Sequence, residues 1–391
     1  MDVLSSCRIL ETKYLLIFKP KIFFMTHRLQ SFFYLNLKAL FLLVLSAISC
    51  GMNASDPRSL YVNIMDYIPD PTDDVTASIQ RAIDENPNHV IFFPDGIYTV
   101  SSPILTPADP AKSVALHLSN FAIIRPADGW NHDEAMIRLG GKDPYNTILI
   151  PGSNYYLDGG VLDCRGVAKG VSIDSGRETV IRNTAIKNAV VGIHVKHGAN
   201  NNSSDADIHD VNITGNMSPE SIGILVDGFD NTFSNIRIFQ TQTGVLLNAR
   251  GNILRNVHPL YMLTDDDLLN AGCGFVDRGG SNWYDYCYSD QYSTAFVTEA
   301  DGSVYHNCFA YWYSPRGDKH VAFKAPGVFN STVTNFTMGV DRDNAAPENL
   351  ILEEGNTGER GMGRIDNLRL SNPGFITSSA HEKYVREVAT K

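Results

Sequence analysis

The sequence predicts an all-β chain that winds as a parallel β-helix, a solenoid of stacked rungs, with one helix capping its N-terminal end. The first observation is a motif of Gly followed by apolar, variable and apolar residues. It recurs at Gly170, Gly192, Gly223, Gly244 and Gly274, at intervals of 21 to 31 residues. Such an interval fits a rung of three short strands. The second observation is that no sustained 3.6-residue periodicity follows the N-terminal part, which favours strands.

A second motif lies between the glycine motifs and places short β-branched runs beside asparagine, at residues 180–183, 231–236 and 252–257. Asparagine tolerates the left-handed backbone conformation, and its amide can pair with an asparagine one rung away. We therefore expect asparagine turns between the strands of a rung. Neighbouring rungs would bury together the apolar side that one rung cannot bury alone. The alternative is an antiparallel sandwich with coincidental glycine spacing.

The composition is that of a globular, acidic protein. The chain has 391 residues, of which 43% are hydrophobic and 19% charged, and its formal net charge is −11. This charge argues against general nucleic-acid binding, which needs a basic face. The six cysteines include no CxxC pair, which argues against a structural zinc site.

The first fifty residues predict an export signal. Met25 opens a basic and aromatic stretch, residues 39–45 are apolar, and small residues follow up to Cys50, in the order of a secretory signal. Residues 1–24 are interpreted as lying upstream of the true translation start at Met25. A lipid anchor at Cys50 and simple cleavage near Ala54 both fit the pattern. The apolar run is too short for a membrane span, so the mature chain is expected in the periplasm, on the outer surface or outside the cell.

The strongest helix signal is near the start of the mature chain. Residues 71–74 supply a cap, Ile79, Ala82 and Ile83 form an apolar face, and Asn86 precedes a terminating proline. The strands 90–93 and 97–100 follow, with a Pro-Asp-Gly turn between them. Because the end of a solenoid exposes unpaired strands, this helix is expected to cap the first rung.

These N-terminal residues carry a resemblance to a known family. Residues 66–84, 90–100 and 102–104, together with the Gly-Gly-Val-Leu-Asp-Cys-Arg-Gly run at 159–166, resemble the pectate-lyase superfamily of right-handed parallel β-helices and their polygalacturonase-like members. The resemblance covers about residues 60–376, and beyond residue 166 only as repeat rhythm. It implies a right-handed, single-stranded β-helix domain over residues 56–380 and a carbohydrate-active protein.

The resemblance does not extend to a named reaction. At the positions that correspond to polygalacturonase catalytic aspartates the chain holds Val191, Ile222 and Thr243. The ligands and arginine base of calcium-dependent pectate lyases do not map onto it residue by residue. We expect no cofactor, with Ca²⁺ left open, and no bound metal: His194 and His197 stand three apart in a strand and face opposite ways.

Four segments, 261–267, 284–290, 311–320 and 338–343, are interpreted as insertions that precede the first strand of successive rungs. Loops at the same corner of a solenoid lie side by side. Each segment carries carboxylates and most carry aromatic rings. Sugar faces stack on rings, and paired carboxylates perform acid–base or nucleophilic work.

The candidate site is drawn from these segments and from His306. The catalytic candidates are Asp290, Asp341 and Asp267; the substrate-binding candidates are Tyr288, Tyr311, Trp312, Tyr313, Arg316, Arg342 and His306. Asp290 and Asp341 form the preferred carboxylate pair, and Trp312 is expected to be an exposed sugar platform. Each residue also has a structural explanation: a solvated turn for Asp267, a core ladder for the tyrosines and burial for His306. His258 is interpreted as structural.

Three functions remain open. The favoured one is an exported polysaccharide-degrading glycoside hydrolase that uses paired carboxylates, and the net charge suits a neutral glycan better than polygalacturonate. The second is a polysaccharide lyase acting on uronate glycans, with Tyr313, Arg316 and Lys319 as candidate groups. The third is a non-catalytic carbohydrate-binding solenoid.

Overall fold

The computed structural model describes residues 61–145, 155–261, 272–312, 320–340, 349–370, 383–386 and 388–390. Asp267, Asp341, Tyr313, Arg316 and Arg342 therefore lie outside the described residues. Among the described residues, no helix has the length and apolarity needed to cross a membrane.

The described strands are short and follow one another with brief turns. In chain order they are β1 (Val62–Asn63), β2 (Val90–Phe93), β3 (Gly96–Val100), β4 (Ile104–Pro107), β5 (Ala115–Pro126), β6 (Ala135–Lys142), β7 (Tyr156–Asp163), β8 (Lys169–Ile173), β9 (Ser175–Arg177), β10 (Val180–Arg182), β11 (Ala185–Ala189), β12 (Val191–Val195), β13 (His197–Gly198), β14 (Asn201–Ser204), β15 (Asp207–His209), β16 (Asn212–Gly215), β17 (Ile222–Val226), β18 (Thr232–Phe239), β19 (Thr243–Leu247), β20 (Ile253–Leu260), β21 (Cys273–Asp277), β22 (Trp283–Asp285), β23 (Tyr288–Asp290), β24 (Thr294–Thr298), β25 (Val304–His306), β26 (Phe309–Trp312), β27 (Val321–Pro326), β28 (Thr332–Thr334), β29 (Thr337–Val340), β30 (Asn349–Glu354), β31 (Arg364–Asp366), β32 (Leu368–Leu370) and β33 (Val388–Thr390).

One strand from each rung joins a ten-stranded parallel sheet, here called sheet 1, which consists of β4, β6, β8, β12, β17, β19, β21, β24, β27 and β30. The glycines of the repeated motif occupy equivalent positions in it. A Cβ atom added at Gly192 would lie 2.6 Å from the carbonyl oxygen of Gly223 and 2.6 Å from Cγ2 of Ile213. The repeat therefore needs glycine because the next rung and the opposite wall approach too closely for a side chain.

Twenty of the other described strands form a second, larger sheet that bends along its length, and β9, β13 and β14 form a small third sheet. Face 2 consists of β10, β15, residues 232–234 and 253–255, β22, β25, β28 and β31; face 3 consists of β11, β16, residues 236–239 and 257–260, β23, β26, β29 and β32. Among the described strands every pairing is parallel except the β13–β14 hairpin. The rungs thus form the predicted β-helix, and the alternative of an antiparallel sandwich is wrong.

Faces 2 and 3 meet at one left-handed residue in each rung. This corner row consists of Asn183, Asp210, Asn235, Asn256, Tyr286, Asn307, Asn335 and Asn367, all with φ between 52° and 59°. Their amides pair across rungs: Asn335 donates to Asn307 at 3.1 Å and Asn256 donates to Asn235 at 3.0 Å. The predicted asparagine ladder is confirmed. Tyr286 interrupts it, although a bulky residue in this conformation costs about 1–3 kcal/mol.

Aromatic rings and buried amides fill the interior of the later rungs. Phe296 stacks between Phe275 and Phe323, at centroid distances of 4.9 and 5.3 Å. A second asparagine ladder is fully buried: Asn231 Nδ2 donates to Asn252 Oδ1 at 2.9 Å. Stacked rings and satisfied amides in register hold the rungs in one alignment.

The predicted N-terminal helix is α1 (Thr76–Glu85), preceded by a 3₁₀ turn, Ile64–Asp66; a second 3₁₀ turn spans Pro110–Lys112. Helix α1 buries Ile79, Ala82 and Ile83, which form the apolar face that the sequence predicts. Its start is fixed by Asp74 Oδ1, which accepts from the backbone N–H of Thr76 at 3.0 Å, because an acidic side chain satisfies a free N–H group.

The connections from face 3 to sheet 1 differ in length. Twelve residues (261–272) separate β20 from β21, residues 313–320 join β26 to β27, and residues 341–348 join β29 to β30. In contrast, only three residues separate β23 from β24. The expectation that residues 284–290 form an insertion is wrong, since they comprise β22, the corner and β23.

Candidate functional site

A cluster of polar and aromatic side chains lies on the outer side of face 3, in three adjacent rungs. This face-3 cluster consists of His258 on β20, Tyr288 and Asp290 on β23, and Phe309 and Tyr311 on β26. The register places Leu260, Asp290, Tyr311 and Gly339 at equivalent strand ends. Asp290 therefore lies between β20 and β26, and β29 lies on the far side of β26.

The aromatic rings of the cluster stack from rung to rung. The His258 imidazole lies on the Tyr288 ring with centroids 4.1 Å apart, and Tyr288 contacts Phe309 at 4.8 Å. Tyr311 lies beside Phe309 at 5.9 Å. Gly339 makes room for them, because a Cβ atom there would lie 2.9 Å from the Tyr311 ring.

Asp290 and His258 face each other without a hydrogen bond. His258 Nε2 lies 3.6 Å from Asp290 Oδ2, and the two side chains are 21% and 15% exposed. That distance is too long for a hydrogen bond. His258 Nε2 and Asp290 Oδ1 are buried and have no hydrogen-bond partner among the described residues. Each buried polar group without a hydrogen bond destabilises the fold by about 1–3 kcal/mol. A pair with a purely structural role would form the hydrogen bond and avoid this loss.

The fully buried aspartates among the described residues are satisfied. Asp174 accepts from Arg138 and Ser172, and is fully buried. Asp277 accepts from Asn282 at 2.9 Å and from Ser303 at 2.6 Å. These two carboxylates have complete structural explanations, whereas Asp290 does not.

Tyr288 is held in its protonated form. Burial raises the pKa of its phenol well above the ordinary value, and the charge of Asp290 and a hydrogen bond to that carboxylate raise the pKa further. At neutral pH Tyr288 is therefore a proton donor and not a base. Together the cluster offers a carboxylate, an imidazole and a phenol at a partly open site, which is a set suited to proton transfer.

The structure brings only some of the sequence-predicted residues together. Tyr288, Asp290 and Tyr311 share the face-3 cluster. His306 lies across the corner on face 2, where its Nδ1 is 3.0 Å from Asp285 Oδ1. Trp312 is wrong as an exposed sugar platform: it is fully buried, and its Nε1 donates to the carbonyl oxygen of Tyr292 at 2.7 Å.

Sequence reasoning missed two residues of the cluster. The sequence pattern favours a structural role for His258 and does not single out Phe309. A usable signal was present, because His258, Tyr288 and Phe309 each follow a corner residue, Asn256, Tyr286 or Asn307, by two positions. Aligning the rungs on the corner row places the three rings in one column.

Cavities and metal donors do not suggest a different site. A cavity of about 450 Å³ beside α1 is lined by Asp84, Asp109, Lys112 and Lys142, among others. Its charges pair with each other, as in the 2.7 Å contact of Lys142 with Asp84. Within the described ranges, no group of three or more His, Cys, Asp or Glu side chains is arranged to hold a metal ion, and the four described cysteines are free.

Comparisons with known proteins give structural neighbours only. No family model matches the sequence, and no curated protein matches it. A double mutant of the tailspike protein of E. coli bacteriophage HK620 is similar in structure, with a TM-score of 0.63 and 12% identity; the match covers 86% of this chain and 64% of the tailspike.

Two further solved structures also match most of this chain. The A-module of the Azotobacter vinelandii mannuronan C-5 epimerase AlgE4 has a TM-score of 0.50 and 14% identity, covering 84% of this chain and 95% of that chain. The N-terminal fragment of bacteriophage Phi29 gene product 12 has a TM-score of 0.56 and 13% identity, covering 91% of this chain and 62% of that fragment. The chain thus has a right-handed parallel β-helix fold, which it shares with these neighbours.

Proposed function

We propose that this protein is a polysaccharide-cleaving enzyme and that the face-3 cluster is its active site. The observation that carries the proposal is the partly exposed Asp290, whose Oδ1 has no partner among the described residues, beside a column of aromatic rings. Aromatic rings stack on the CH faces of sugars, and a carboxylate next to them is positioned for acid–base work. The tailspike structures include one in complex with a pentasaccharide, which supports a glycan as ligand of this fold.

The favoured reaction is glycoside hydrolysis. One carboxyl group protonates the glycosidic oxygen while a second carboxylate activates water or attacks the sugar. Asp290 supplies one of the two. We assign the second to Asp341 or Asp267, because Asp267 belongs to the segment that follows β20, the strand next to Asp290, and Asp341 directly follows β29, two strands from Asp290 on the other side. Tyr288 lies beside Asp290, whose negative charge helps to keep the phenol protonated.

A second reaction has its own supporting observation. His258 and the protonated Tyr288 form the base and acid that β-elimination requires. In that reaction His258 removes the proton next to the uronate carboxyl group, a carbon–carbon double bond forms, and the glycosidic bond breaks as its oxygen takes a proton from Tyr288. This reaction requires a uronate substrate, whereas hydrolysis does not.

The test uses the full chain and its Asp290→Asn variant on alginate, polygalacturonate, xylan and dextran. We expect new reducing ends from at least one polymer and a loss of rate on the order of 10²–10⁴-fold in the variant. Asp366→Asn, an outward carboxylate on face 2 that is 25% exposed, is the matched control and should keep full activity.

The products separate the two reactions. Reducing ends without ultraviolet absorbance of an unsaturated uronate indicate hydrolysis, and reducing ends with that absorbance indicate elimination. Equal activity of Asp290→Asn and the wild-type protein would remove Asp290 from the active site. Binding of a polymer without any cleavage would favour the non-catalytic solenoid.

A further inference from the structure

Tyr286 occupies a position where every other described rung from residue 183 to residue 367 has asparagine or aspartate. Its φ is 53°, and its side chain is 60% exposed. It therefore does not contribute a core contact that would compensate for the unfavourable backbone. It also separates the paired amides of Asn235 and Asn256 from those of Asn307 and Asn335. A strained residue kept at an exposed position is an indication of function.

Trp283 lies three residues earlier in the same rung and is also exposed. Its side chain is 47% exposed, and it stands in register with Ile253, which is 44% exposed, and with Val304. The outward positions of this row are apolar in the three adjacent rungs, whereas Thr232 and Thr332 occupy them on either side. The rungs around Tyr286 therefore carry a continuous apolar stretch of this row, which Asp207 and Thr232 separate from Val180 in an earlier rung.

A polar row runs beside the apolar one, two residues further along each strand. Asp285 is its centre: Oδ1 lies 3.0 Å from His306 Nδ1, and Oδ2 lies 3.4 Å from Arg255 Nε. The side chain of Asp285 is 26% exposed, that of His306 is 49% exposed and that of Arg255 is 68% exposed. Each presents hydrogen-bonding groups to solvent next to the Trp283 ring.

We infer that six of these residues form a glycan-binding surface on face 2, distinct from the face-3 cluster. It consists of Ile253, Arg255, Trp283, Asp285, Tyr286 and His306, and is called here the Trp283 surface. A sugar ring has apolar CH faces and a rim of hydroxyl groups, which match an aromatic row beside a row of donors and acceptors. A protein partner is disfavoured, because the centres of protein interfaces are depleted of charged residues.

The surface adjoins the active site proposed above. Tyr286 stands at the corner, between Asp285 on face 2 and Tyr288 on face 3. A polymer bound in the face-3 cluster can thus continue around this corner onto the Trp283 surface. The inference rests on the proposed function for the identity of the polymer, and it assigns His306 to polymer binding and not to the reaction.

Two substitutions test the surface by introducing residues that other rungs already have at the equivalent positions. Trp283→Thr introduces the residue that Thr232 and Thr332 provide in the same row, and Tyr286→Asn introduces the residue of the other corners. Both are placed in the Asp290→Asn background, so that binding is measured without cleavage. Affinity electrophoresis in gels that contain alginate, polygalacturonate, xylan or dextran gives the dissociation constant. Thr332→Ala is the matched control on face 2.

We expect at least one polymer to retard the parent protein, and each substitution to raise the dissociation constant about tenfold, which corresponds to about 1.4 kcal/mol. Tyr286→Asn should also raise Tm, since it removes backbone strain, so that weaker binding cannot be attributed to unfolding. Thr332→Ala should bind as the parent does.

Three results would overturn the inference. The first is that both variants are retarded as strongly as the parent protein. The second is that none of the four polymers retards the parent protein. The third is that Trp283→Thr changes the oligomeric state without changing glycan binding. Retardation that depends on Trp283 and Tyr286 supports the surface even if the protein with Asp290 intact releases no product, in which case only the proposed reaction fails.

Discussion

The imidazole of His258 stacks on the phenol ring of Tyr288, with centroids 4.1 Å apart and 16° between the ring planes. This contact joins two rungs and fixes the orientation of the imidazole. Its Nε2 edge is directed to Asp290, at 3.6 Å from Oδ2. The stack therefore positions a titratable edge beside a carboxylate, and the two properties of His258, stacking and proton transfer, can be separated by substitution.

We expect His258→Phe to lower kcat on the order of 10²–10⁴-fold, because phenylalanine retains the stack on Tyr288 but carries no proton. Stability should change little, since the ring contact remains. Initial rates on the best polymer and thermal unfolding measure the two effects.

His209→Phe is the control for this variant. His209 is also partly exposed, and its Nδ1 lies 2.8 Å from Asp210, on the corner away from the cluster. A large loss of rate in both variants, or in neither, would contradict the role assigned to His258.

Trp312 is expected to matter for stability and not for sugar binding. Its ring is fully buried, and its Nε1 bonds to the Tyr292 carbonyl oxygen. Trp312→Ala should lower the free energy of unfolding by about 3–5 kcal/mol, the cost of emptying a large buried site. Trp312→Phe should cost less and leave KM within about twofold. A raised KM with unchanged stability in Trp312→Phe would restore the sugar-platform interpretation. Denaturant unfolding and initial rates measure the two quantities.

The fold was predictable because its signals are local and repeated. The spacing of Gly192, Gly223 and Gly244 reflects a steric requirement of every rung, and the corner asparagines reflect a left-handed backbone that few residues tolerate. Both requirements act within one rung and its neighbour, so a single sequence displays them many times.

The site was less predictable, because it depends on register. Trp312 and Tyr311 are adjacent in sequence but point to opposite sides of β26, so that one enters the core and the other the surface. His306 and Asp290 lie in adjacent rungs but on different faces. Sequence identifies the residue types, whereas the position of each relative to the corner row decides its direction.

The buried asparagine ladder should be more important for stability than the exposed one. Asn252 Oδ1 accepts from the backbone N–H of Asn231 at 3.1 Å and from its Nδ2 at 2.9 Å. Asn252→Ala leaves both donors buried without a partner, at about 1–3 kcal/mol for each group. We expect a loss of about 2–6 kcal/mol in the free energy of unfolding by this reasoning.

The matched variant is Asn235→Gly on the corner row. It removes one exposed amide pair but keeps a residue that adopts φ of 54° freely. We expect Asn235→Gly to lower the free energy of unfolding by less than about 1 kcal/mol. Denaturant unfolding compares the two proteins, and equal losses would show that the interior ladder has no special role.

The stability of the protein should fall as the solution becomes acidic, and His320 provides a measurable part of that fall. Burial lowers the pKa of His320 from 6.5 to about 4. The unfolded chain therefore takes up a proton at a higher pH than the folded chain does. The stabilisation is complete above about pH 6.5 and is lost as the pH falls towards 4, by about 3 kcal/mol at most.

His320→Gln, a polar side chain that does not titrate, isolates this contribution. Other groups also act in this direction: hydrogen bonds from His194 and Asn248 lower the pKa of Asp227 against the effect of its burial. Because such groups are common to both proteins, they cancel in the difference. We expect the difference in unfolding free energy between wild type and His320→Gln to shrink steadily from pH 7 to pH 4, as measured by urea unfolding. A difference that stays constant over that range would mean that His320 titrates normally in the folded protein.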